Sequence, residues 1–301
     1  MKKMKLAMII ATALILLGGV VFTSAMAAHG WDFTKLTTIE YESGTYVIDE
    51  SIENISILID TADVIFERSA DEKIRVVTYL PKDSKHTLET SDGTLTVKRE
   101  GKFKWSEFVG INFKKSKITI CLPEGEYGSL IIKASTSDVK VSDVFKFYTA
   151  YIKVSTGDVK FNASASEYIK IRSSTGDVSV KDITTGDIDI DTSTGDIKLI
   201  NIVCSGSVKA EASTGDVELK NVIASGKFTV RTGTGDVEFK GSDASEIYVR
   251  TDTGDVKGTL LSDMIFFADS GTGDIDVPKS TTGGKCEIKT DTGDIKIKIA
   301  T

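Results

Sequence analysis

The tripeptide Thr-Gly-Asp returns at a nearly fixed interval along the second half of the chain, and few folds accommodate such a pattern. Its aspartates, counting Asp138 of the variant Thr-Ser-Asp, fall at 138, 158, 177, 196, 216, 236, 255, 274 and 294, always 19 or 20 residues apart. A period of this size marks a repeat architecture in which each unit stacks on its neighbours. Residues 213–232, STGDVELKNVIASGKFTVRT, show the content of one unit. After Gly215-Asp216, apolar residues alternate with polar ones, and they do so again after Ser225-Gly226. Alternation of period two is the mark of a strand with one buried face.

The same slots recur as Val159/Phe161, Val178/Val180, Ile197/Leu199, Val217/Leu219, Val237/Phe239, Ile275/Val277 and Ile295/Ile297. Between them Lys160, Ser179, Lys198, Glu218, Glu238, Asp276 and Lys296 are expected to face water, where mixed charge limits edge association. Gly258 departs from the pattern by lacking the second apolar side chain. One unit cannot bury its apolar face alone, but stacked units can. The expected fold is therefore all-β: a parallel β-solenoid with two strands per coil of ~20 residues. Equivalent strands lie about 4.8 Å apart, so successive repeats from 138 to 294 make a column of roughly 40 Å.

Two turn columns follow. One carries Thr-Gly-Asp. The other is marked by Ser166, Ser205, Ser225, Ser245 and Ser262, and it takes in the out-of-phase Asp187 of ITTGDIDI. Cys286 occupies the slot of Phe228 and points inward, while Cys204 aligns with Ala224 at a turn edge. With Cys121 they make three well-separated cysteines, neither a disulfide framework nor a zinc set.

Ahead of the repeats, residues 29–134 read as irregular β structure capping the solenoid of 135–301. They include a degenerate copy, Thr61-Ala62-Asp63-Val64, strands in IRVVTYL, GTLTVKR and SKITICLPE, and a turn at Ser91-Asp92-Gly93. A separate β-sandwich is the alternative for this part. Residues 1–28 are an address. Lys2, Lys3 and Lys5 precede a run from Leu6 to Ala28 without a charge. That run is long enough to span a bilayer, which needs about 20 residues, yet Ala25-Met26-Ala27 also fits a cleavage site. Membrane anchor and cleaved signal both stand, and both export residues 29–301, because the basic flank stays in the cytoplasm. The expected location is the cell membrane, single-pass with an external C-terminal domain, or secretion after cleavage near Ala27.

The full chain carries a net charge of −7, which argues against a nucleic-acid partner. Against that background VKREGKFKWSEFVGINFKKSK (97–117) is locally basic and aromatic. Lys98, Arg99, Lys102, Lys104, Lys114, Lys115 and Lys117 interleave with Phe103, Trp105, Phe108 and Phe113. It reads either as a contact for anionic lipid headgroups or an envelope glycopolymer, or as a cap loop whose aromatics pack on the solenoid end.

The hydrophobic N-terminus, then TADVIF, then KITICLPEGEY, then serial STGDV and TGDI strands, resembles the LiaG-like "putative adhesin" family of exported β-strand-repeat proteins from Gram-positive bacteria. The resemblance covers residues 33–301. It implies an exported or membrane-anchored β-solenoid, with some members beside envelope-stress systems, and it brings no catalytic residues.

The residues point the same way. A catalytic site needs distinct groups converging once, and a column of equivalent aspartates does not converge. His29 and His86 lie outside the repeats, and no HExxH, GxSxG or P-loop is present. No catalytic, cofactor or metal residue is assigned. The Asp column leaves one question open. Stacked carboxylates about 5 Å apart repel by roughly 1 kcal/mol per pair in water. Either turn hydrogen bonds offset this, or weak Ca²⁺ binding does, since Ca²⁺ takes six to eight oxygens. The expected function is a non-enzymatic surface module for adhesion or envelope interaction. The alternative is a membrane-anchored accessory of an envelope-stress response that acts through a protein partner.

Overall fold

The computed structural model describes residues 2–32, 39–84, 86–100 and 115–300. They form two units: residues 1–42, 81–83 and 102–115, and residues 43–80, 84–101 and 116–301. The first contains a helix, Lys2–Ala28. Its segment Met8–Ala28 has a mean hydropathy of 2.2 over 18 residues that are not buried, although Met26 near its end is, and it has the length and composition to cross a membrane.

The second unit is a parallel β-solenoid of about nine turns. Each coil contributes to two ladders. The first runs through the strands Gly125–Thr136, Phe145–Thr156 and Ser164–Thr175 and onward through the C-terminal halves of the longer strands. The second runs through Val139–Val141, Val159–Phe161 and the N-terminal halves of Val178–Thr194, Val217–Thr234 and Val237–Thr253. The alternating slots of the sequence form the core: Val159, Phe161, Val178, Val180, Ile197, Leu199, Val217, Leu219, Val237, Phe239, Ile295 and Ile297 are all buried, whereas Ile275, expected in the same inward slot, is 46% exposed and Val277 is only partly buried, because their coil lies at the end of the ladder. Cys286 pairs in register with Ile247, which pairs with Phe228, so it does sit in that inward column. Gly258 lies opposite Phe239. A Cβ there would stand 1.9 Å from the Phe239 carbonyl oxygen, so the missing side chain is a packing requirement.

Spatial order departs from chain order at both ends, which the expectation of successive repeats did not include. At the C-terminal end, Ile247–Thr253 is followed in the ladder by Gly284–Thr292, and Met264–Thr272 lies outside it. The partner ladder repeats this: Val256–Leu260 pairs with Ile295–Ile299, which pairs with Ile275–Asp276. The last coil of the chain is thus inserted one place in from the end. At the other end, Asn54–Thr61 lies between Thr94–Arg99 and Gly125–Thr136, and Asp63–Arg68 between Lys117–Leu122 and Val139–Val141. The outer coil there is closed by antiparallel strands, His86–Ser91 on Thr94–Arg99 and Ile74–Pro81 on Lys117–Leu122. The arrangement has a physical logic. A strand at the edge of a stack opens more easily than one hydrogen-bonded on both sides, and insertion gives Gly284–Thr292 and Ile295–Ile299 both neighbours.

Candidate functional site

The Thr-Gly-Asp corner is a continuous hydrogen-bond column. The backbone N–H of each aspartate donates to Oδ1 of the aspartate in the preceding coil at 2.8–3.1 Å. Followed through the stack, the acceptors are Asp63, Asp138, Asp158, Asp177, Asp196, Asp216, Asp236, Asp255 and Asp294, ending on the Asp274 donor. The degenerate Thr61-Ala62-Asp63-Val64 copy therefore begins the column, and Asp294 precedes Asp274 in it. Inside the stack, the residues on either side of the aspartate are paired too. Gly215 N–H donates to Thr234 O and Val217 N–H to Asp236 O, both at 2.9 Å. A sharp corner would otherwise strand these donors at a desolvation cost of roughly 1–3 kcal/mol each.

Glycine is required at this corner for two reasons at once. Gly215 has φ +141°, a region closed to other residues, and its Cβ would lie 2.1 Å from the Gly195 carbonyl oxygen. In the later coils a buried hydroxyl completes the corner from inside: Thr232 donates to Gly215 O at 2.8 Å, Thr251 to Gly235 O and Thr290 to Gly254 O.

Opposing charge is also supplied locally. Lys198 reaches Asp196, Lys257 reaches Asp236 and Lys296 reaches Asp294 through their Oδ2 atoms, at 3.3, 2.9 and 2.7 Å. Burial pushes the Asp236 carboxyl up, but Lys257 and the Asp255 N–H more than reverse this and hold it below the usual carboxylate value. Lys296, and then the Asp274 N–H, do the same for Asp294. Carboxylates depressed in the folded state contribute stability above their unfolded value near 3.8 and lose it as pH falls through the lower folded values. Thermal melts are expected to hold above the unfolded carboxylate value near 3.8 and to fall as the pH is lowered below it. A melting temperature that holds or rises on acidification would refute a charge-assisted column. Among the described residues, no group of three or more His, Cys, Asp or Glu is arranged to hold a metal ion.

The second column is where the sequence placed it. Ser207 N–H donates to Asp187 Oδ1 at 2.6 Å, and Ser205 N–H to Thr185 O at 2.9 Å. A third corner was missed. Asp182, Asn201, Asn221 and Gly241 all have φ between 51° and 62°, and they bend the first strand of their coils. The Asn201 amide donates to Asp182 Oδ1 at 2.7 Å and the Asn221 amide to Asn201 Oδ1 at 2.9 Å. The signal was present as Asp, Asn, Asn and Gly recurring every 19 or 20 residues, the residue types that tolerate this backbone.

Of the basic and aromatic stretch, Lys102, Phe103, Lys104, Trp105, Phe108, Phe113 and Lys114 lie outside the described residues. Lys98 pairs with Glu89 at 3.4 Å, and the largely buried Arg99 with Asp60 at 2.7 Å. Both are already neutralised. Burial pushes the Cys204 thiol up to about 11 and that of Cys286 up to about 12, so neither is a ready nucleophile.

The model of the Toastrack DUF4097 family matches residues 52–222 and again 205–301. The chain belongs to the Toastrack DUF4097 family. Solved structures of similar fold include a "putative adhesin" from Bacteroides fragilis, 16% identical, covering 86% of this chain and 97% of its own, with a TM-score of 0.48. Another, from Parabacteroides merdae, carries the same description at 15% identity, 86% and 92% coverage and a TM-score of 0.45. A "putative lipid binding protein" from Parabacteroides distasonis is 16% identical, with coverage of 85% and 97% and a TM-score of 0.33. At these values the likenesses assign no ligand to this Toastrack chain. No curated protein matches it.

Proposed function

We propose that this Toastrack protein is a membrane-anchored, exported display scaffold: a non-enzymatic β-solenoid of the LiaG-like kind, serving adhesion or interaction within the envelope. The observation that carries this reading is the pairing of two parts. One is the apolar helix segment Met8–Ala28, exposed over an 18-residue stretch, behind the basic residues Lys2, Lys3 and Lys5. Such a segment inserts in a bilayer and leaves its basic flank in the cytoplasm. The other is a solenoid whose most repeated polar residues are committed to one another at the corners, which leaves its outward strand faces free to present a surface. Serial TGD strands after TADVIF and KITICLPEGEY support the LiaG-like placement.

Protease shaving of intact cells that express the full chain tests this. The solenoid is expected to be cut, or to lose surface label, while a cytoplasmic control protein stays whole. Full protection in intact cells, with cleavage only after lysis, would overturn it. N-terminal sequencing of the membrane fraction separates a retained anchor from cleavage near Ala27.

A further inference from the structure

Most outward rows of the solenoid are charged. Lys160, Ser179, Lys198, Glu218 and Glu238 line one, charged on four of these five coils, and Arg172, Asp191, Glu211 and Arg231 another. One row differs. Glu126, Lys146, Ser164, Thr184, Val203 and Ile223 stand in register on successive coils. From Ser164 to Ile223 four coils pass without a charge. Val203 is 58% exposed and Ile223 38%, so two aliphatic side chains face water side by side, where a charged residue fits the neighbouring rows.

The backbone opens a groove beside this row. The strand Ser164–Thr175 carries one residue more than both neighbours between Ala165 and Tyr168, so its ladders break there. The extra residue pushes Ser166 and Glu167 outward, and bulges of this kind re-aim side chains next to functional surfaces. Tyr148, in the neighbouring coil, and Tyr168 are exposed at the same corner, by 59% and 37%. Further along, the corner stays tight. A Cβ on Gly186 would meet the Glu167 carbonyl oxygen at 1.9 Å, and one on Gly206 would meet Asp187 Oδ1 at 2.0 Å. Between the bulged corner and the uncharged row lies a groove of about 390 Å³, within the roughly 300–1,000 Å³ of small-ligand sites. Its walls include the hydroxyls of Ser164, Ser166, Thr184 and Ser205, and its apolar surface includes Val203.

We propose that this groove binds a neutral glycan chain lying along the solenoid axis. Thr184 donates to Ser164 Oγ through its N–H and its hydroxyl, at 3.1 and 3.4 Å, which leaves the Ser164 O–H to donate and Thr184 Oγ1 to accept outward, and that pairing suits a polyol, which offers both. Val203 in the lining, and the exposed rings of Tyr148 and Tyr168 beside the groove rather than in its walls, suit the C–H faces of sugar rings that extend past it. A polyanion finds no net positive field here, because Lys146, the one cation among the described lining residues, is paired with Glu126 at 3.4 Å. A peptide adding as a strand needs an open sheet edge, and the strands under this groove are hydrogen-bonded on both sides. The inference deepens the display reading and rests on it.

The test presents the full chain, in detergent micelles, to an array of neutral and anionic oligosaccharides and extended peptides. Titration with the strongest neutral binder follows. Retention of neutral oligosaccharides is expected. Ser164→Ala combined with Thr184→Val, which also gives up the Thr184 N–H bond to Ser164 Oγ and so melts slightly lower, and separately Tyr148→Ala, which leaves the thermal melt unmoved, each weaken binding at least tenfold. Lys160→Ser, on a charged row, leaves binding unchanged. These sites are at the surface, and if one variant melts early the other still decides. No neutral ligand, retention of anionic glycans or peptides alone, or equal binding by both variants overturns the inference. A chain that is shaved from intact cells yet blind to neutral glycans sinks only this inference. A chain that binds them in micelles but is protected in cells sinks only the display reading.

Discussion

Gly215→Ala is expected to lower the melting temperature by at least 6–12 °C. Strain at a backbone conformation closed to other residues costs about 1–3 kcal/mol, and the new methyl would also lie 2.1 Å from the Gly195 carbonyl oxygen. Neither coil can yield, because each is held by ladders above and below. A total near 3 kcal/mol or more corresponds to that shift for a domain of this size. The opening is local, since a solenoid's coils interact with nearest neighbours. Hydrogen exchange is therefore expected to accelerate first around residues 195–236. Gly241→Asn is the control. Gly241 has φ +62°, its Cβ would meet nothing closer than 3.5 Å, and Asn221 and Asn201 hold the equivalent corners. That variant is expected to melt within a degree or two of the parent. Equal effects at 215 and 241 would show that close approach between coils is not what fixes the Thr-Gly-Asp glycine.

This contrast shows what the sequence made legible. Alternation at Val217/Leu219 and Val237/Phe239 carries a definite period, and stacking is the way to bury such short faces, so the parallel coils and the inward place of Cys286 could be read directly. The repeat also exposed the Gly-Asp corner, because a requirement renewed in every coil writes itself at a fixed interval. It did not say whether each carboxylate is held by a cation or by a neighbour. That depends on the Asp236 N–H pointing at Asp216 Oδ1, and a direction leaves no mark on residue type. The Asp182, Asn201, Asn221 and Gly241 bend was legible in principle, but it was hidden inside a stretch where apolar residues nearly alternate. The groove escaped because one added residue at Ser166-Glu167 is offset within the same coil. Phe161 to Ala165 is one residue shorter than Val180 to Thr185, so the period of the repeat barely registers the bulge.

Coil order was the least legible feature, and it carries the other large effect. Asp255, Asp274 and Asp294 sit in nearly identical motifs, so local pattern is satisfied by any order of stacking. The structure inserts the last coil between its two predecessors, and truncation reads out that choice. Ending the chain after Gly283 removes Cys286, Ile288, Ile295 and Ile297, all buried. At about 1.5–3 kcal/mol each this is on the order of 6 kcal/mol of apolar burial. With simple chain-order stacking the loss stops there, and Met264–Thr272 stays paired to the coil before it. With insertion, Met264–Thr272 and Ile275–Asp276 lose the partners given by their ladders, and Ile247–Thr253 and Val256–Leu260 become the new edge. The truncated protein is expected to lose amide protection across 264–276 as well as to melt lower, while 139–230 keeps its protection. Retained protection at 264–276 would mean that Phe266 moves into the place of Cys286 beside Ile247, and that the inserted order is one of two stackings of similar stability rather than the one the chain requires.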